Sequence, residues 1–130
     1  MPNIEYKTKR IEDEFSRELF DRNRALYDLV NAAAVYTGYE FSKPLILTSV
    51  FRTPEEQGAL YSHLPENQRP HSPHQDWKAV DLRSWAYTDD EINRLLRFLN
   101  TFTVMGGQRQ VALYHEIPGN VKHFHIQYWR

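Results

Sequence analysis

An acidic residue within an apolar segment is the feature that most constrains how this chain can fold. Asp81 lies in the segment 78–84, a candidate strand whose neighbouring positions are Ala79, Val80 and Leu82. A carboxylate in such a strand is costly to bury unless it is paired or binds a metal ion. The fold must therefore bring a partner to this strand.

Two histidines are suitable partners. His74 precedes Asp81 by seven residues, and His125 belongs to the distant segment His123-Phe124-His125. Two histidines and an aspartate can supply three zinc ligands and leave the fourth tetrahedral position for water, which is typical of catalytic sites. Each histidine alone is more simply a surface or hydrogen-bonded core residue, so the combination carries the prediction. The chain has no cysteine, and any metal must be bound by His, Asp or Glu.

Composition narrows the class of protein. The 130 residues fit a single domain with one hydrophobic core. Lys and Arg total 16 against 17 Asp and Glu, and this balance predicts neither a nucleic-acid partner nor an anionic membrane surface. No segment has membrane-spanning length, and the first residues lack the apolar core of a signal peptide. We therefore expect a chain made in the cytoplasm, without a membrane span.

The first part of the chain predicts one long amphipathic helix. Residues 1–10 are polar and are expected to form an extended arm or a ragged start. From Ile11 to Ala33 the apolar residues recur at helical intervals. We predict a helix over about residues 11–36, closed by Gly38.

The middle of the chain predicts strands and capped helices. Segments 44–51 and 78–84 are typical of buried strands. Thr53 before Pro54 predicts the start of a helix that runs to about residue 61, and a capping box at residues 88–91 predicts a second helix through Leu99. The segment 62–77 between them shows no periodicity and is expected to be a long functional loop.

The last part of the chain predicts a β-hairpin over residues 110–116 and 122–129, after a break at Gly106-Gly107 and with a turn around residues 118–120. Along its second strand, His123, His125 and Gln127 share one face. One register sets His115 opposite His123, and a shift by one residue sets Glu116 there instead. The turn does not decide between them.

Three further polar or aromatic residues have two interpretations each. Arg52, at the end of a strand, is either a surface residue or a guanidinium that faces a cleft and holds a substrate oxygen. Ser72 either caps a turn or fixes the loop around His74. Trp77 is either a lid over the core or an aromatic wall of the cleft.

These residues together resemble a family of zinc peptidases. The pattern comprises Ser49-Val50-Phe51-Arg52-Thr53 with Gln57 and Leu60-Tyr61, then Ser72, His74 and Asp81, then His123 and His125. It is similar to the D-Ala-D-Ala carboxypeptidases, D-Ala-D-Ala dipeptidases and phage L-alanyl-D-glutamate endopeptidases of bacterial cell walls, the group that includes lysostaphin and the hedgehog signalling domain. The match covers roughly residues 45–128.

The resemblance implies a function and roles for particular residues. His74, Asp81 and His125 would bind Zn²⁺, and the substrate would be a D-amino-acid-containing peptide of peptidoglycan. Arg52 would orient the substrate and stabilise oxyanion charge, and Ser72 would support the metal loop. With Gln57 and Trp77, these two residues make up the candidate substrate-binding set.

The resemblance also implies a fold, an oligomeric state and a place of action. The fold would be a small single α+β domain, with the long N-terminal helix and further helices packed on a central antiparallel sheet that has a zinc cleft. We expect a monomer. The absence of a signal peptide fits a phage or prophage endolysin that reaches the wall when it is released at lysis.

Two positions differ from the family pattern. Trp77 stands where the family commonly has glycine, and Lys122 stands where many members have a catalytic Glu or Asp three residues before the last histidine. A zinc hydrolase needs a group that takes a proton from the metal-bound water. Lys122 is a poor candidate for this role, and we expect His123 or Glu116 to fill it.

Three hypotheses follow. The favoured one is a zinc metallopeptidase that acts on peptidoglycan. The second is a catalytically degenerate module that keeps zinc for binding or structure, and the third is a metal-free structural domain of a phage particle.

Overall fold

A mixed five-stranded sheet forms the centre of the fold in the computed structural model, which describes residues 3–102, 111–115 and 122–128. The strand order is β1-β2-β3-β5-β4, and helices pack against the sheet to give a small α+β domain. The strands are β1 (Ile4–Tyr6), β2 (Leu45–Ser49), β3 (Ala79–Arg83), β4 (Ala112–His115) and β5 (His123–Gln127).

The helical segments lie between the first three strands and after the third. They are α1 (Lys9–Asp13), a π-helical segment (Glu14–Leu19), α2 (Phe20–Arg22), α3 (Arg24–Phe41), α4 (Pro54–Leu60) and α5 (Asp89–Asn100), with short 3-10 turns at Glu66–Gln68 and Pro73–Asp76. Among the described residues, no helix has the length and apolar character needed to cross a bilayer.

The first strand corrects two expectations. Residues 4–6 are a strand and not a loose arm, and β1 pairs with β2 in parallel, so the sheet is mixed where an antiparallel one was expected. Ile4 and Tyr6 pack against the core while Glu5 is exposed. A three-residue alternation is too short to predict a strand, because pairing with β2 supplies most of its stability.

The predicted long helix is interrupted at Asn23. The backbone of Asn23 leaves the helical region (φ −149°, ψ 78°), and its side-chain oxygen caps α3 by accepting from the Leu26 amide at 3.1 Å. Its Nδ2 donates to the carbonyls of Trp77 at 3.0 Å and Tyr128 at 2.7 Å. The helix is therefore broken to bind two distant segments of the chain.

The C-terminal end of α3 also differs from the prediction. The helix continues through Gly38 to Phe41, and Ser42 ends it in the left-handed region at φ 54°. Pro44 follows two residues later, where it cannot continue a helix.

The two capped helices are where the sequence predicts them. Thr53 accepts from the Glu56 amide while the Glu56 carboxylate accepts from the Thr53 amide, and Thr88 and Glu91 repeat this capping box. The long loop 62–77, expected to lack elements, contains the two 3-10 turns.

The core lies between the sheet and the helices. Phe124 and Ile126 of β5 are fully buried and meet residues of α3 and α5 in one cluster. In β5 these apolar side chains alternate with His123, His125 and Gln127, as predicted.

The hairpin has the first of the two registers considered. Leu113 pairs with His125, and His115 pairs with His123. Glu116, the turn around residues 118–120 and the break at Gly106-Gly107 lie outside the described residues.

Candidate metal centre

Asp81 lies in the middle of the sheet, between two strands. It pairs with Ser49 of β2 on one side and with His125 of β5 on the other. Directly opposite residues of an antiparallel pair project from the same face of the sheet. The register of β3 and β5 therefore brings the Asp81 carboxylate and the His125 ring together.

The three predicted ligands form one buried cluster. Asp81 Oδ1 lies 3.2 Å from His74 Nε2 and 3.1 Å from His125 Nδ1, and the candidate ligand atoms all lie within 4.8 Å of one another. The exposed fractions of His74, Asp81 and His125 are 2%, 6% and 9%. Ligands bound to zinc at tetrahedral angles are about 3.3 Å apart, so the two His–Asp separations fit a shared metal ion.

A backbone carbonyl fixes the orientation of His74. Its Nδ1 lies 3.1 Å from the carbonyl oxygen of Val50, which can only accept, so Nδ1 carries a proton and Nε2 is the ring atom that faces Asp81. The Arg52 amide donates to the His74 carbonyl at 3.2 Å and holds the loop from the other side. The ring is thus oriented to bind a metal through Nε2.

His125 has a comparable support. Its Nε2 lies 3.1 Å from Oε1 of Gln127, two residues further along the same strand face, and its Nδ1 faces Asp81. The alternation of β5 could have identified Gln127 from sequence. The Val50 carbonyl could not have been found this way, because a backbone atom leaves no trace in the residue types.

The charge of Asp81 is retained despite its burial. Burial acts to raise the pKa of the carboxyl, but the facing His74 and His125 lower it by more, so the pKa lies well below its usual value. The carboxylate is therefore ionised and able to bind a cation. Two imidazoles and a carboxylate, without thiolates, suit a divalent metal such as zinc.

Two cavities reach the cluster. One of about 180 Å³ is lined by all three candidate ligands together with Arg52, Gln57 and Ser72. The other, of about 280 Å³, is lined by Asp81, Arg52, His123 and Lys122 among others. Arg52 thus lies at the junction of both cavities, as the cleft interpretation requires.

Gln57 and Ser72 hold Arg52. The guanidinium Nη1 donates to Oε1 of Gln57 at 2.8 Å and to Oγ of Ser72 at 3.3 Å. Gln57 is buried, and its Nε2 donates to the Pro70 carbonyl at 2.6 Å. Its amide is therefore engaged at both ends and fixes Arg52, while substrate contact by Gln57 stays a prediction.

Ser72 supports the loop that carries His74. Its Oγ accepts from the His74 amide at 3.2 Å, and its own amide donates to the Gln75 side chain at 2.9 Å. The turn that carries His74 is thereby capped at its start, in agreement with the expected role.

The candidates for proton transfer differ in where they lie relative to the cluster. His123 Nε2 lies 3.8 Å from Asp81 Oδ2, beside the cluster. Lys122 is exposed on the rim of the larger cavity, and its carbonyl accepts from Ser84 Oγ at 2.9 Å. Glu116 lies outside the described residues, and the backbone register sets His115 opposite His123.

Trp77 is not among the residues that line the two cavities at the cluster. Its ring stacks on Phe51 at 4.6 Å between centroids, and it lines a separate cavity with Arg22 and Asn23. It packs against the core and has the left-handed conformation at φ 58°, which suits the glycine of the family pattern. Its position supports the lid interpretation over the cleft wall.

Comparison of the chain with protein-family models, curated proteins and solved structures found no match in any of the three. The geometry of the cluster and its cavities is therefore the main evidence for a function.

Proposed function

We propose that this protein is a zinc-dependent metallopeptidase that hydrolyses a D-amino-acid-containing peptide bond of bacterial peptidoglycan. The observation that supports the proposal most strongly is the buried cluster of His74, Asp81 and His125, which two cavities reach. A closed structural site would use four protein ligands, and among the described residues the cluster has three. The resemblance in sequence order adds the class of substrate.

The residues around the cluster would have distinct tasks. A bound zinc ion would lower the pKa of its water toward neutrality and polarise the scissile carbonyl. Arg52, held by Gln57 and Ser72, would donate to the carbonyl oxygen as negative charge develops on it. Because its position is fixed before substrate binds, little reorganisation would be needed during the reaction.

His123 is our candidate for proton transfer. It lies beside Asp81 and lines the larger cavity, and histidine is the side chain that most often acts as a general acid or base in enzymes. Glu116 stays a candidate as well. We propose that the enzyme acts at the cell wall after release from a phage-infected or prophage-bearing cell.

The test is digestion of purified muropeptides with and without a chelator. We expect zinc-dependent cleavage by the wild type, and the product will identify the bond. His74→Ala should lose both zinc and activity, since it removes a ligand. His63→Ala, which changes an exposed histidine of the same loop, should keep both. A metal-free His74→Ala protein that is still active would contradict the proposal.

A binding module is the second candidate. Lys122 occupies the position at which many members of the zinc peptidase family that the sequence resembles carry a catalytic Glu or Asp. It also lines the larger cavity. A degenerate module would bind one zinc per chain and show no turnover on muropeptides. Chelator-sensitive cleavage would exclude it.

A further inference from the structure

The larger cavity beside the cluster has an excess of basic side chains. We call it the basic groove and define it by the six charged residues that line it: Lys7, Arg52, Glu56, Asp81, Arg83 and Lys122. The chain as a whole has a net charge of −1, so this excess is local. Its four basic residues lie at or just beyond the ends of four strands: Lys7 follows β1, Arg52 follows β2, Arg83 ends β3 and Lys122 precedes β5.

The two acids of the basic groove are already engaged by side chains other than its four cations. Glu56 accepts from Arg10 Nη1 at 2.9 Å and from Arg10 Nη2 at 2.8 Å, and Arg10 is not among the lining residues. Asp81 faces His74 and His125. Neither carboxylate is therefore available to offset the four cations.

The four cations lack acidic partners within the part of the chain that the structure describes. The ion pairs found there involve other lysines and arginines. Arg52 donates to neutral oxygens of Gln57 and Ser72, and Arg83 lies 4.9 Å from the centre of the Trp85 ring. Like charges that share one cavity repel each other, and an anionic ligand would relieve this repulsion.

We propose that the basic groove binds a short acidic peptide segment that carries at least two carboxylates, on one side of the scissile bond. The proposal rests on the proposed function for the position of that bond. A volume of about 280 Å³ lies at the small end of ligand pockets and suits a short segment. Single-stranded nucleic acid fits less well, because such sites use aromatic platforms and no Phe, Tyr or Trp lines this groove.

The test is calorimetric titration of the zinc-loaded protein with N-acetyl-triglutamate amide and with its triglutamine analogue. We expect triglutamate to bind more tightly, with an affinity that falls as salt is added. The double variant Lys7→Gln, Arg83→Gln should weaken triglutamate binding about fivefold and by no more than about 25-fold, since each exposed ion pair contributes up to about a fivefold change in affinity. Among the described residues, neither side chain forms a hydrogen bond or ion pair with His74, Asp81 or His125, or with the other.

The matched control is Arg17→Gln, Arg97→Gln, which removes the same charge from exposed positions outside the groove. It should bind triglutamate as the wild type does. Equal binding of the two peptides, or an equal loss in both double variants, would overturn the proposal. Tighter binding of a short single-stranded oligonucleotide would also overturn it, because the groove would then recognise phosphates.

Muropeptide digestion in parallel separates this proposal from the proposed function. Tighter binding of triglutamate than of triglutamine, without any hydrolysis of muropeptides, would contradict the peptidase proposal and support the acidic ligand proposed for the basic groove. Hydrolysis of muropeptides without tighter binding of triglutamate would support the peptidase proposal and contradict the acidic ligand proposed for the basic groove.

Discussion

Trp77 occupies a backbone conformation that costs most residues about 1–2 kcal/mol. The stacked Phe51 ring and the Arg22 guanidinium, 5.2 Å from the Trp77 ring centre, hold it there. The Asn23 side chain also binds its carbonyl. The strain is thus offset in part by the two ring contacts, which a glycine could not make, whereas the bond to the carbonyl does not depend on the side chain.

Two replacements of Trp77 distinguish the cost of its left-handed backbone from the loss of its ring contacts. Trp77→Gly and Trp77→Ala both lose the ring, but only glycine relieves the left-handed strain. The gain in stability is partly offset because glycine has more conformational freedom in the unfolded chain. We expect Trp77→Ala to be the less stable variant by about 0.5–1 kcal/mol. Denaturant unfolding of the two variants measures the difference. Equal stability, or a less stable glycine variant, would show that the backbone conformation is not strained.

At the scale of elements, Asn23 joins the start of α3 to the segments that flank β3 and β5. Asn23→Ala removes the helix cap and the donors to two carbonyls, so we expect a loss of about 2–4 kcal/mol. Asn31→Ala is the control, because its side chain donates only to the Tyr27 carbonyl within α3. We expect the control to lose less than about 1 kcal/mol in urea unfolding. Similar losses in both variants would contradict the joining role of Asn23.

The Arg10–Glu56 pair joins α1 to α4 and gives a pH dependence. The pKa of Glu56 is lowered to about 2, first by its bonds with Arg10. Its contribution to stability is therefore present above the usual pKa of about 4.5 and is lost as the pH falls toward 2. Glutamine keeps the capping role but not the charge.

Glu56→Gln should accordingly be less stable than the wild type at neutral pH, and the difference should shrink as the pH falls to about 2, where the Glu56 carboxylate becomes protonated. Thermal unfolding at a series of pH values measures the difference. A difference that does not change with pH would show that the charge pair does not stabilise the fold. Added salt should reduce the difference at neutral pH, since the pair is partly exposed.

The elements that the sequence predicts well are those with local determinants. The caps at Thr53 and Thr88 are confirmed because each capping box depends on residues three apart. The break at Asn23 was missed because the apolar period continues across it, and its bonds run to Trp77 and Tyr128, far along the chain. The site shows the same division: the ligand residue types were visible in sequence, whereas the hairpin register and the Val50 carbonyl depend on tertiary structure.

At the scale of the whole molecule, the candidate metal centre connects β3, β5 and the loop that follows α4. His74 also contacts the end of β2 through the Val50 carbonyl. A metal bound to the folded state alone would add stability in proportion to the logarithm of its free concentration. A metal ion bound at this centre would therefore both take part in the reaction and stabilise the sheet.

The most direct test of this account is the zinc content of tag-free protein by mass spectrometry, with His63→Ala and His74→Ala purified in parallel. We expect one zinc per chain in the wild type and in His63→Ala, and almost none in His74→Ala. Absence of zinc from the wild type after metal supplementation, or full zinc in His74→Ala, would contradict the metal centre.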